Sequence, residues 1–456
     1  MVTIEPITTV AEPDSQLRQH LPVAIIGGGY SGTILAAKLA RLGVASFLID
    51  GSGRAGRGTA YSTEEPAHLL NVRAHNMSAF ADEPDHFAKR FEAAGGERDD
   101  FAERRFYGRY LDDVLAAAIA TGKVVTIEAN AIAAGRNGET WRIRLDDERE
   151  LDCAALVLAM GNQSPEPLAA LAGAGPRAIA NPWGAEARLA IDEIVREGGD
   201  VLLIGTGLTM VDTVLSLDAA GFTGRITALS RRGQVPRSHG IVEPAPVELD
   251  EIPSGDLVGL WRWLRKRSAK VGWRAAIDSL RPHSKELWRA LSFDQQRRFI
   301  RHARSYWDVH RHRIAPQVAR RIADLIAEGR LHVLGGRILN ARDQGDAIEI
   351  VLRRRAADKT EMRRFDLVMN CTGPLHSIER TTDPLLRGLL DSGDAEPDEL
   401  GIGLKLDAGS RVSGGPRMWA MAALTKGRYW EIIAVPDIRH QAATIAAEIV
   451  EELGHD

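Results

Sequence analysis

The chain has 456 residues, 44% hydrophobic and 26% charged, a composition that fits a globular protein of two or three domains and excludes a disordered or fibrous one. Its net charge of -4 provides no overall basic field of the kind that holds nucleic acid. The two cysteines, Cys153 and Cys371, form neither a CxxC pair nor a zinc-ligand set; a distant disulfide between them stays open beside two ordinary buried thiols.

Residues 1–20 carry prolines and acids but no apolar signal-peptide core, and are expected to form a flexible arm. No apolar run approaches the length of a membrane span, so neither a signal nor an anchor directs the chain away from the cytoplasm, where it is expected to reside. The run Val23–Ile26 reads as a strand buried on both faces. Gly27-Gly28-Gly29-Tyr30-Ser31-Gly32 follows, then a helical pattern to Leu42, then a strand over 46–49 ending in Asp50. This is the order strand, GxGxxG, helix, strand, acid, which specifies a dinucleotide site. Gly27 permits the tight turn, Gly29 admits the pyrophosphate, and Gly32 lets the helix pack on the strand. Tyr30 and Ser31 open the helix whose N-terminus faces the phosphates, and Asp50 is placed for the adenosine ribose.

Residues 155–161 and 366–373 each read as an apolar strand that runs into a glycine turn, at Gly161 and Gly373. Such turns edge the ligand crevice of an open α/β sheet. Between them the first pattern repeats. Asp200–Ile204 is a strand, and Gly205-Thr206-Gly207-Leu208-Thr209-Met210 is a loop of the form GxGxxM. A helix then runs to about Ala219, and a strand ends in Ser230-Arg231-Arg232. Methionine at the third glycine position argues against tight helix–strand packing. Arginine where an acid would otherwise stand suits a 2'-phosphate, and so NADPH over NADH.

Residues 234–330 are mostly helical in pattern and hold five of the nine tryptophans: Trp261, Trp263, Trp273, Trp288 and Trp307. Two readings stand side by side: a small helical subdomain with a solvated basic face, or a pocket wall that recognises an anionic or planar substrate. His310 and His312 have no acidic or thiol partner at ligand spacing, so no metal site is expected. His68, His75, His239 and His376 are candidate acids or bases by type alone, and none is ranked as catalytic.

From Pro22 onward the chain resembles the bacterial FAD/NAD(P)-binding flavoproteins with two dinucleotide-binding domains, which are distantly similar to flavin-containing and N-hydroxylating monooxygenases. Beyond the two loops, the likeness rests on Gly58-Thr59-Ala60-Tyr61, on His68 to Val72 with Met77-Ser78, and on Gly427 to Glu431 followed by Val435 to Arg439. It implies an α/β fold of two Rossmann-like domains. One is an FAD domain over 21–180 and 370–456; the other is an NAD(P) domain over 181–369, inserted in the first and containing the helical stretch 234–330. It also implies that Tyr61, Asn71, Met77, Asp437 and Ile438 join the flavin site, with Asp437 as N-cap of the final helix. One departure is plain: where flavin-containing and Baeyer–Villiger monooxygenases carry FxGxxxHxxx, this chain reads Asn181-Pro182-Trp183-Gly184, without histidine.

The implied activity is hydride transfer from NADPH to FAD, followed by oxygenation of a small planar or anionic substrate by O2. The resemblance extends to FAD-dependent urate hydroxylases. Two alternatives remain: an NADPH-dependent reductase with a quinone or other organic acceptor, and a redox-sensing flavoprotein without turnover.

Overall fold

A computed structural model describes residues 21–407 and 409–454; the arm expected at 1–20 lies outside the described residues. Two largely parallel sheets dominate. The first has five parallel strands in the order Met418–Ala420, Ala155–Leu158, Val23–Ile26, Ser46–Ile49 and Val124–Ile127. Val23–Ile26 and Ala155–Leu158 are buried at every position, as uninterrupted apolar runs must be when both faces of a sheet are covered. On one face pack the helices Tyr30–Arg41, Arg104–Ala120 and Val435–Leu453, enclosing Leu35, Tyr107 and Ile445. A three-stranded antiparallel sheet (Ala131–Asn137, Thr140–Leu145, Glu150–Cys153) covers the other face, together with the helix Pro384–Ser392. In Thr140–Leu145 the period-2 pattern of a half-covered strand is clear: Trp141, Ile143 and Leu145 point inward, Arg142 and Arg144 outward.

The second sheet has seven strands. Asp200–Ile204 lies at its parallel centre, between Arg225–Ser230 and Leu367–Asn370. Leu331–Asp343 continues the parallel part beyond Arg225–Ser230 and then pairs antiparallel with Ile348–Arg354, which pairs with Thr360–Phe365. Ala178–Ile179 closes the opposite edge.

Here the structure corrects the expected course of the chain. The resemblance leaves Ala178–Ile179 in the first domain and returns the chain there at residue 370, but Leu367–Asn370 is hydrogen-bonded between Asp200–Ile204 and Ala178–Ile179 in the second sheet. The strand that actually returns to the first sheet is Met418–Ala420, beside Ala155–Leu158. An apolar strand ending at a glycine turn carries no mark of which sheet it joins.

Residues 234–330 are helical, as the pattern predicts, and have a small core of their own built on Leu264, Ile277, Leu280, Leu287 and Trp307. That core is not isolated from the rest of the molecule. Trp288 donates its indole N–H to Gly427 O (2.8 Å), and Trp307 donates to Glu431 Oε1 (2.6 Å). The insertion is therefore docked on the segment leading to the final helix.

Candidate cofactor and substrate site

The two glycine loops are built alike. Gly27 and Gly205 stand at the strand ends with φ of +102° and +114°, a region that favours glycine. A side chain on Gly27 would fall 2.6 Å from Ala159 O, and one on Gly205 would overlap Cys371 O. Each loop is thus pressed against the turn after the neighbouring parallel strand. Gly29 and Gly207 are extended residues immediately before the helices, and neither helix has a side-chain cap. Their leading N–H groups are left for an anion. A Cβ at Gly207 would meet no protein atom within 4 Å, so that face of the backbone is open, as a bound pyrophosphate requires. At the first loop Gly58 approaches so closely that its own Cβ would lie 2.7 Å from Gly29 Cα. The residues present fit a dinucleotide in both places.

The third positions differ. A Cβ on Gly32 would overlap Gly27 O, so glycine is obligatory there. Met210 is completely buried in the core of the second sheet, where its side chain fills the space beneath the helix. The ends of the second strands also differ. Asp50 accepts from Gly28 N (2.6 Å) through one oxygen and from Ser52 N (2.9 Å) through the other. Ser230 instead shares a hydrogen bond with Thr206 Oγ1 (2.8 Å) and accepts from Gly233 N (3.0 Å). Arg231 is exposed and makes no hydrogen bond or ion pair among the described residues, whereas Arg232 reaches Ser305 Oγ and lies 4.7 Å over the Tyr306 ring. Of the two, only Arg231 is unengaged among the described residues. Leu208 and Thr209 begin the second helix, part-exposed.

The other expected flavin residues divide into two groups. Tyr30, Ser31, Met77 and Ile438 are buried, and Tyr30, Met77 and Ile438 belong to the first core. The side chains of Tyr30, Met77 and Ile438 pack in that core. Tyr61 and Asn71 are part-exposed. The Tyr61 ring packs edge-on against Tyr107 (4.7 Å), and burial pushes its hydroxyl pKa up to about 12. Asp437 does not cap the final helix. Ala434 holds that position, because the helix starts at Val435 with Pro436 in its first turn, and Asp437 instead faces Arg281 of the insertion (3.8 Å).

Gly161 and the turn after Gly373 come together: Leu375 N donates to Gln163 O (3.3 Å). They form one wall of a cavity of about 190 Å³ between the two sheets. The helix Arg304–Arg311 contributes Arg304 and Asp308, and the segment before the final helix contributes Lys426, Trp430 and Glu431. Burial raises the pKa of Asp308, whose carboxylate takes a hydrogen bond from Arg304 Nε (3.3 Å). Burial also works against the Glu431 charge, but His312 (3.8 Å), Arg311 (3.4 Å) and the Trp307 N–H outweigh it and hold the carboxyl below its usual range. Burial, then Arg304, press Lys426 down to about 8.

Of the four candidate histidines only His376 lines this cavity, its imidazole kept neutral by burial and by Arg304. His68 joins Thr63 Oγ1 (2.8 Å) to Asp212 O (2.9 Å), His239 donates to Asn71 O (3.0 Å), and His75 pairs with Asp99 (2.8 Å). Sequence reasoning missed Arg304, Asp308 and Lys426. The i,i+4 spacing of Arg304 and Asp308 was the available signal. Cys153 and Cys371 are free and buried in different cores, each thiol pushed up to about 12 by burial.

Among known proteins, residues 24–163 match the FAD-NAD(P)-binding family. No curated protein matches the sequence. Among solved structures, reduced ornithine hydroxylase from Pseudomonas aeruginosa is similar with a TM-score of 0.65 at 14% identity, covering 95% of this chain and 99% of that one. L-lysine 6-monooxygenase from Pseudomonas syringae gives 0.65 at 17%, over 95% and 99%. Thioredoxin reductase from Lactococcus lactis gives 0.54 at 12%, over 96% and 100%. At these identities the likeness speaks for the fold. The chain is an α/β protein with the architecture of these hydroxylases and reductases, and its residues 24–163 are similar to the FAD-NAD(P)-binding family.

Proposed function

We propose that the chain is an FAD-dependent oxidoreductase that takes hydride from NADPH, and that it works as a monooxygenase on a small planar or anionic substrate. The observation that carries this reading is the twin construction of the loops at Gly27 and Gly205, each pressed on the turn that also walls the central cavity. The FAD-NAD(P)-binding match over 24–163 supports the first cofactor, and the unengaged Arg231 beside the second loop supports a 2'-phosphate.

Bound there, FAD would supply a hydride acceptor and a route for electrons to oxygen or an organic acceptor. The protein supplies position and shielding. Gly27, Gly29 and Gly32 shape the first cradle, Asp50 fixes its loop, and Gly205 and Gly207 shape the second. The docked insertion supplies one wall of the cavity, while Lys426 and Arg304 give it donors and His376 a neutral imidazole. A disulfide reductase of this fold would need a thiol pair at the cavity; Cys153 and Cys371 are buried in separate cores.

The test is flavin content and NADPH oxidation by the purified protein, with product analysis under labelled O2. Bound flavin, NADPH oxidation and label in an organic product are expected. A colourless protein that takes up no flavin overturns the reading. Turnover without label, sustained anaerobically by a quinone, assigns a reductase instead. Failure of urate to accelerate NADPH oxidation removes only the urate-like substrate.

A further inference from the structure

Among the described residues, one donor on the wall of the central cavity and one buried beside it lack acceptors. Lys426 makes no hydrogen bond or ion pair among the described residues, although the other charged groups around it are matched: Arg304 with Asp308, and Glu431 with Arg311, His312 and Trp307. The Trp430 indole N–H, four residues on, is buried without a partner. Trp430 is also held at φ +53°, where a bulky side chain is an outlier. Orphaned polar groups and backbone strain of this kind gather where a ligand completes the structure.

Trp430 separates the charged cavity from a second, apolar chamber of about 60 Å³ inside the helical insertion, lined by Leu264, Leu287, Trp288, Phe299 and Trp307. The indole stacks on Trp288 (4.8 Å between centroids, 24° between planes) and meets Phe299 edge-on (5.2 Å). One turn of π-helix, Phe299–Ala303, sits at the boundary. It gives Phe299 to the apolar chamber and Ile300 to the charged cavity, which Arg304, the next residue after it, also lines. The helix beyond repeats the division, with Trp307 on the apolar side and Asp308 on the charged side. Insertions of this type into helices are frequent at functional sites.

We propose that the charged cavity is a substrate site for a small monocarboxylate with an apolar body: its carboxylate accepts from Lys426, and its body lies against the Trp430 indole at the boundary with the apolar chamber. The inference rests on reading the cavity as the substrate site of a flavin enzyme, and it narrows the substrate to an acid with a hydrocarbon portion. One unmatched cation suits one carboxylate. A second acidic group on the ligand would face Asp308 and Glu431. Burial and Arg304 hold Lys426 at about 8, against the pull of Asp308 and Glu431, and burial also lowers the imidazole pKa of His312 and of His376 beside it. Carboxylate binding therefore weakens as pH rises through about 8, where the free amine loses its proton.

The experiment is calorimetric titration of the purified full-length protein with phenylacetate, acetate and phenylacetamide at pH 7 and pH 9.5. Phenylacetate is expected to bind at least tenfold more tightly than either of the others at pH 7, and to lose most of its advantage over the amide at pH 9.5. Lys426→Met is expected to bring acid and amide within twofold, while Lys426→Arg keeps the preference. Trp430→Ala is expected to bring phenylacetate down to acetate. Equal affinity of acid and amide in the wild-type protein, or no binding of any of the three, overturns the proposal. Flavin content is read on the same sample: a colourless protein that still prefers the acid overturns the flavin reading and leaves the carboxylate site in place.

Discussion

Arg104 and Asp212 join the two sheets through a two-pronged ion pair, Nη1 to Oδ2 at 2.9 Å and Nη2 to Oδ1 at 3.0 Å, with the side chains 14% and 8% exposed. Arg104 begins a helix on the first sheet, and Asp212 lies in the helix of the second glycine loop. His68 bonds the backbone of the same aspartate. Removing one member strands the other charge in a low-dielectric junction, which costs about 3 kcal/mol or more. Arg104→Met and Asp212→Asn should each lower unfolding stability by about that amount in denaturant titration. The double variant should lose less than the sum of the two single losses.

Gly32 of the first loop and Gly207 of the second provide a contrast. Gly32→Ala places a methyl group on Gly27 O, so the variant should lose both stability and flavin absorbance. Gly207→Ala meets no protein atom, so the fold should survive while the KM for NADPH rises about tenfold, or 1.4 kcal/mol. Full NADPH affinity in Gly207→Ala would show that no pyrophosphate approaches that backbone.

Arg231 and Arg232 should prove unequal. Arg232 is engaged by Ser305 and Tyr306, and Arg231 is not. Arg231→Glu should raise the KM for NADPH tenfold or more and leave that for NADH within about twofold, since only NADPH carries the 2'-phosphate. Steady-state kinetics with both nucleotides decides it.

His239 gives a pH signature. Burial first, and Arg313 next, push its imidazole down to about 4, while its Nε2–H donates to Asn71 O. In the unfolded chain the ring takes up a proton near pH 6.5. The unfolded state therefore binds more protons between about 6.5 and 4, and this contribution to stability is complete above pH 6.5 and lost as pH falls. His239→Gln keeps the donor and removes the titration, so its stability should fall less steeply over that window. Parallel profiles for the two proteins would contradict the assignment.

The cysteines should be silent. With both thiols buried and pushed up to about 12, neither should react with iodoacetamide in the native protein at pH 8. Cys153→Ala with Cys371→Ala should retain NADPH oxidation, as measured by its steady-state rate.

Much of this architecture is legible in the sequence because it is local. The strand, glycine loop and helix beginning at Val23 and at Asp200 declare themselves through contiguous residues, and so does the helical character of 234–330. What was not legible depends on long-range choice. Leu367–Asn370 could pair in either sheet by its pattern, and Met77 and Ile438 could face a ligand or a core. The cavity's charged groups come from segments more than a hundred residues apart, Arg304 and Asp308 on one side and Lys426 and Glu431 on the other, so no spacing rule unites them. Asp437 missed its expected cap because Pro436 is accommodated within the first turn, which moves the helix start upstream.

The strands Ala178–Ile179 and Leu367–Asn370 are hydrogen-bonded neighbours, so the polypeptide crosses into the second sheet and back out of it at nearly one point. A unit attached by two adjacent strands resembles a drawer on a single rail: it leaves undisturbed the threading of the host sheet, whose own strands Ala155–Leu158 and Met418–Ala420 close up side by side across the gap. Its alignment with the host is left to side chains, chiefly Arg104 with Asp212 on one flank and Trp288 with Gly427 on the other.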